Sequence, residues 1–201
     1  MITLGLRTSA VFALVFALII AVILIQPRDD SAIRAFFAVR EDCAAPCFLG
    51  IRPGVTTHDQ AADILRAQPW VGKLTVGRDA LYWAWNGQQP AFITDRMDNF
   101  KDGQIIFVRD IVARITVATK LNWGEFRLIF GKPDQELFVA GQSPSGFFPF
   151  LFHSAAYADG SFEVDTDTFC PLKSRADLWY STVTMVMPIH PLYDLIPVES
   201  C

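Results

Sequence analysis

The sequence predicts an α+β fold: an N-terminal transmembrane helix followed by two tandem units, each a short helix packed on an antiparallel sheet. Three observations carry that expectation. Residues 8–27 hold no charge, and Ala10 to Ile25 is unbroken apolar sequence. In the rest of the chain the hydrophobic period changes twice from about 3.6 to two. The two short helical stretches end at corresponding prolines, Pro69 and Pro133.

About twenty residues rising ~1.5 Å each match a hydrocarbon layer ~30 Å thick. The run is longer than the apolar core of a signal peptide. The following ILIQPRDD offers neither a small-x-small cleavage pattern nor a lipobox cysteine. An uncleaved signal anchor is therefore expected within residues 1–27, with the lipid bilayer as partner of residues 8–27. Arg7 precedes the run, while Arg28, Asp29 and Asp30 follow it. The positive-inside rule then puts the N-terminus inside a cytoplasmic membrane crossed once, and the remainder outside the cytoplasm.

Four cysteines fit that compartment: Cys43, Cys47, Cys170 and Cys201. They form no paired CxxC, and His58, His153 and His190 stand far apart in sequence, so no metal site is expected. Disulfides are the default in an oxidising compartment. Cys43 with Cys47 and Cys170 with Cys201 would each close a local segment; the two other connectivities stay open. The formal net charge is −4. With Arg7 set aside, 16 of the 17 basic residues face 21 acidic ones, scattered singly. Such a surface does not attract phosphate backbones, so no nucleic acid is expected.

Residues 28–47 read as a juxtamembrane linker in which Ser31 caps a short helix reaching Arg40. CAAPCFLG breaks that pattern. Pro53, Gly54 and a threonine cap then start a helix over Thr57–Gln68, with a capping box from Thr57 and Gln60 or from Thr56 and Asp59. Ala61, Ile64 and Leu65 share one face of it. Strands follow over Trp70–Val76, Ala80–Trp85, Ala91–Thr94 running toward Asn99, and Gln104–Val117. Turn chemistry stands at Gly77, Asn86-Gly87 and Asp102-Gly103, the last read as a hairpin. Arg109-Asp110 marks a bulge or break in the long fourth strand.

A second helix starts at Asn122, boxed by Glu125, with Trp123, Phe126, Ile129 and Phe130 as its apolar stripe and Gly131 and Pro133 as its stop. Strands return at Gln135–Ala140, Phe150–Ala158, Ser161–Asp167 and Leu178–Met187, with Asp159-Gly160 as a hairpin turn. The closing HPLYDLIPVESC is too proline-rich for regular structure. The two units thus occupy residues 48–118 and 119–201.

GIRPGVTTHDQAADILRAQP, residues 50–69, resembles the opening G-[IM]-x-x-G-x-[ST]-x-x-[EQ]-[VA]-x-x-x-L-G-x-P of small bacterial envelope domains. These are the BamE/SmpA lipoproteins and beta-lactamase inhibitory protein. FGKPD in the second unit repeats its end. The resemblance implies a helical opening packed on an antiparallel sheet, and the inhibitor holds two such units in tandem. The pattern C-x-x-P-C-x-x-G-I-x-P-G-x-T-T is also similar to membrane-anchored proteins of filamentous phototrophic bacteria. Gln68 departs from the family's glycine, and the lipobox of the lipoproteins is missing.

Motifs for chemistry are not found. GxSxG, HExxH, the Walker loop and GxGxxG do not occur, so no catalytic residue, no cofactor and no enzymatic activity are expected. His58 reads as a solvated first-turn residue and His153, in FLFHSAAY, as a satisfied half-buried imidazole. Glu163, Asp165 and Asp167 alternate on one strand face, a solvated face rather than a calcium site. Aromatic residues supply the interaction candidates: Tyr82, Trp83 and Trp85 in YWAW, and Phe147, Phe148 and Phe150 in SGFFPFLF. The expected function is a non-enzymatic, membrane-anchored, extracytoplasmic protein-binding module serving as accessory or assembly subunit of a larger membrane complex. The alternative is a tethered inhibitor or ligand-binding domain, and a third reading is a hydrolase with an unrecognised site.

Overall fold

A computed structural model of the chain describes residues 12–21, 30–37, 43, 46–94, 102–142, 149–157, 161–170 and 175–188. The chain divides into two compact units, Met1–Phe36 and Phe37–Cys201. In the first, helix α1 spans 12–21 and helix α2 spans Ser31–Phe37, started by an Arg34–Asp30 ion pair of 2.8 Å. The expected transmembrane anchor is overturned. Among the described residues no helix is long and apolar enough to cross a membrane. The helical residues described there, 12–21, rise about 15 Å against a hydrocarbon layer of ~30 Å. The single-pass placement, with its extracytoplasmic domain, rested on that span and falls with it.

The second unit is built on β1 (Val71–Val76), β2 (Ala80–Trp85), β3 (Gly103–Val108), β4 (Ile111–Asn122), β5 (Gln135–Gln142), β6 (Pro149–Tyr157), β7 (Phe162–Phe169) and β8 (Thr182–Pro188). Helix α3 (His58–Ala67) precedes β1, α4 (Trp123–Phe130) follows β4, and the one-turn α5 (Arg175–Trp179) precedes β8. The fold class is corrected here. Instead of two units with a sheet each, the strands form one eight-stranded antiparallel sheet in the order β1-β2-β3-β4-β8-β7-β6-β5, with few helices. A four-strand meander that stopped at β4 would leave a row of backbone donors and acceptors unpaired, and β8 satisfies them. The sequence boundary at 118–119 consequently lies inside β4.

One cross-strand row defines each face. Leu74, Trp83, Gly103, Val117, Met185, Val164, Ala155 and Glu136 are successive partners on the helix-covered face. From Trp83 to Ala155 this row is buried. Thr75, Tyr82, Gln104, Thr116, Val186, Glu163, Ala156 and Gln135 form the neighbouring row on the opposite face. Period-two alternation keeps the two sets apart.

Helix starts follow local chemistry. Thr57 and Gln60 make the capping box of α3, and Asn122 and Glu125 that of α4. Ala61, Ala62 and Leu65 bury the inner side of α3, while Phe126 of α4 lies within 4.5–6.2 Å of Phe130, Tyr157 and Phe162 by ring centroids. Cys43 and Cys47 are disulfide-bonded. Just beyond them, Leu49 and Gly50 turn the chain at φ 54° and 93°, which pairs Phe48 with Ile51 and drives both into the core. Phe48 stacks on Trp83 at 6.0 Å. Cys170 is also disulfide-bonded; its expected partner, Cys201, lies outside the described residues.

Two turn readings and one strand reading change. The hairpin is at Arg109-Asp110, joining Val108 directly to Ile111, with φ of 52° and 67° at two non-glycine residues. Asp102-Gly103 instead begins β3. Its glycine serves packing, since a Cβ there would collide with the Trp83 ring. Ala91–Thr94 contributes a single bridge, Ile93 to Thr119, rather than a strand. Asp159-Gly160 and the closing tail lie outside the described residues.

Candidate functional site

The face opposite α3 and α4 carries the candidate site. Tyr82, Gln104, Thr116, Ala118 and Thr184, drawn from β2, β3, β4 and β8, line a cleft of about 330 Å³. Alternation in β2 puts Leu81, Trp83 and Trp85 inward and leaves Ala80, Tyr82 and Ala84 half-buried on this side. Gln104 Nε2 donates to the Tyr82 hydroxyl at 3.4 Å. Along β3 from Gln104, Ile106 and Val108 remain 37% and 58% exposed. The lining therefore sets the uncharged hydrogen-bonding groups of Tyr82, Gln104, Thr116 and Thr184 beside the Asp102 carboxylate, with solvent-facing aliphatic residues next to it. At its rim, Asp102 accepts the Trp85 backbone N–H at 2.8 Å and so anchors the end of β2.

Farther across the same face, Arg114 Nη2 on β4 donates to Asp165 Oδ2 on β7 at 3.0 Å, passing over β8. Arg114 sits opposite Pro188, and Asp165 opposite Thr184. In a flat sheet two strand spacings and four residues would hold their Cα atoms about 16 Å apart. That exceeds the reach of the two side chains, so the sheet curls toward this face.

Glu163 and Asp165 lie within the curl at 2% and 7% exposure, which corrects the reading of a solvated acidic face; Asp167 alone is exposed. Burial pushes the Asp165 carboxyl above its ordinary range, opposed by Ser154 and Arg114. Among the described residues no His, Cys, Asp or Glu group has the makings of a metal site.

The sequence candidates separate. Trp83 and Trp85 are core residues, 1% and 8% exposed, with rings 5.6 Å apart, so they present no surface to a partner. Tyr82 lines the cleft. Phe150 lies half-buried on β6, opposite Phe169, and Phe147 and Phe148 are outside the described residues. His58 is not a solvated residue: its Nε2 donates to the Gly77 carbonyl at 2.9 Å and its ring lies on Phe107 at 4.7 Å.

His153 is fully buried on the helix side between Trp123 and Phe138, at 4.5 and 4.4 Å. Its Nδ1 meets Thr166 Oγ1 at 3.4 Å, and Nε2 has no hydrogen-bond partner. Burial, with the Arg127 charge adding to it, lowers its pKa to about 4. A neutral imidazole enclosed between two aromatic rings reads as a packing element. Gln104, Thr116 and Thr184 escaped sequence reading, because a half-exposed polar residue in a strand looks the same whether it lines a cleft or meets bulk water.

The fold and the site define a single-sheet antiparallel protein with helices on one face and an open, polar cleft on the other. Compared with known proteins, the chain matches no family model, no curated protein and no solved structure.

Proposed function

We propose that this chain is a non-enzymatic protein-binding module that takes part in a larger assembly as an accessory subunit, using the sheet face around Tyr82. The cleft carries this reading. It joins a tyrosine, uncharged hydrogen-bonding side chains and exposed aliphatic residues on a face that α3 and α4 leave open, the mixture typical of protein interfaces. The likeness of residues 50–69 to the BamE/SmpA and beta-lactamase inhibitory protein opening supports the same direction, since an inhibitor acts by binding a protein.

A second reading, a small-ligand site, is favoured by the volume of about 330 Å³, near the lower end of ligand pockets. A photo-crosslinking amino acid at position 82, in cells that make the chain natively, separates the two. One stoichiometric protein adduct from position 82, and none from exposed Asp63 on α3, is the expected result. No macromolecular adduct, or equal adducts from both positions, would overturn it.

A further inference from the structure

The two ends of the sheet are built differently. At one end β1 carries a register shift between Val71 and Lys73, together with exposed Gly72 and Lys73. A bulge and an outward lysine are the usual guards against a foreign strand. At the other end β5, QELFVAGQ, pairs with β6 through eight consecutive residues with no register shift. It contains no Lys, Arg or Pro. Its single charge, Glu136, is already matched by Arg127 of α4 at 3.3 Å. Gln135, Glu136 and Phe138 are exposed, and among the described residues β5 has a strand neighbour on one side only. Alternate residues of such a strand aim backbone N–H and C=O groups outward, a ready template for another strand.

We propose that β5 pairs antiparallel with β5 of a second copy of this chain, extending the sheet across a two-fold axis. Faces must match across an antiparallel pair, so the axis passes through a residue position. Centred on Phe138, the register sets Phe138 against its own copy, Leu137 against Val139, Glu136 against Ala140 and Gln135 against Gly141. No like charges meet. Phe138 is 39% exposed with one ring face on His153, so the pairing supplies an aromatic cross-strand contact for the rest. This edge is separate from the cleft, and the proposal does not depend on the partner-binding reading.

Sedimentation of the full chain over a concentration series should show a monomer–dimer equilibrium, and Phe138→Lys, which sets like charges face to face, should weaken it at least about tenfold. Should that variant not fold, Phe138→Cys decides. Cα atoms across the two-fold would be about 4.5–5.5 Å apart, within disulfide range. Mild oxidation should then give a covalent dimer, and the β1 control Thr75→Cys should not. A chain monomeric at every concentration, a dimer cross-linked from Thr75→Cys, or a monomer that takes up an unrelated extended peptide along β5 would overturn self-pairing.

Discussion

His153 shows how much one enclosed ring weighs. Between pH about 4 and 6.5 the unfolded chain holds an imidazole proton that the folded chain excludes. The unfolded state therefore binds more protons in that window, and stability rises with pH through it; above 6.5 the contribution is complete and flat. The interval corresponds to about 3 kcal/mol. Asp165 acts with opposite sign, because its raised pKa makes the folded chain hold a proton the unfolded one has released. Comparison with His153→Phe isolates the histidine. Denaturant midpoints of the two proteins should diverge as pH falls from 6.5 to 4, the wild type losing about 3 kcal/mol more. Parallel profiles would show that water or a rearrangement accommodates the charge.

Elements were legible where a local rule acts alone. Thr57 and Gln60, or Asn122 and Glu125, satisfy helix N–H groups from within four residues, and those starts were read correctly. Asp102-Gly103 misled because a glycine in a strand and a glycine in a turn look alike; contact with Trp83, twenty residues away in sequence, decides between them. Arg109-Asp110 was read only as a bulge or break, for the converse reason. Arginine does not favour a left-handed conformation and aspartate tolerates it better, yet the β3–β4 twist imposes it on both. Arg109→Asn with Asp110→Gly should accordingly raise stability by about 1 kcal/mol, seen as a higher urea midpoint at unchanged slope. A lower midpoint would mean that the native pair makes compensating contacts. Replacing the Thr57 cap by Ala should cost about 1 kcal/mol in the same assay.

At the level of the molecule, the seam between β4 and β8 joins the two halves in one continuous sheet. Val117 faces Met185, and Ile115 faces Met187, all buried. Met185→Ala opens a cavity at that seam and should cost about 2–5 kcal/mol. Because the sheet is continuous, native-state hydrogen exchange should report the same loss in β2 and in β6. A loss confined to one half would show that the halves unfold independently.

The sequence by itself determined the helix caps and their prolines and the alternation of most strands, because those depend on residues within one turn or one pleat of each other; it offered Cys43–Cys47 as one of three pairings, and the structure selects it. Only the tertiary structure decided that the halves share one sheet, that Trp83 and Trp85 are core while Tyr82 lines a cleft, and that Glu163 and Asp165 are buried. Each of those outcomes turns on which strand lies beside which, and on the curl that brings Arg114 over β8 to Asp165. Period two states that a strand has two faces. The neighbours that cover them are set by chain segments tens of residues away.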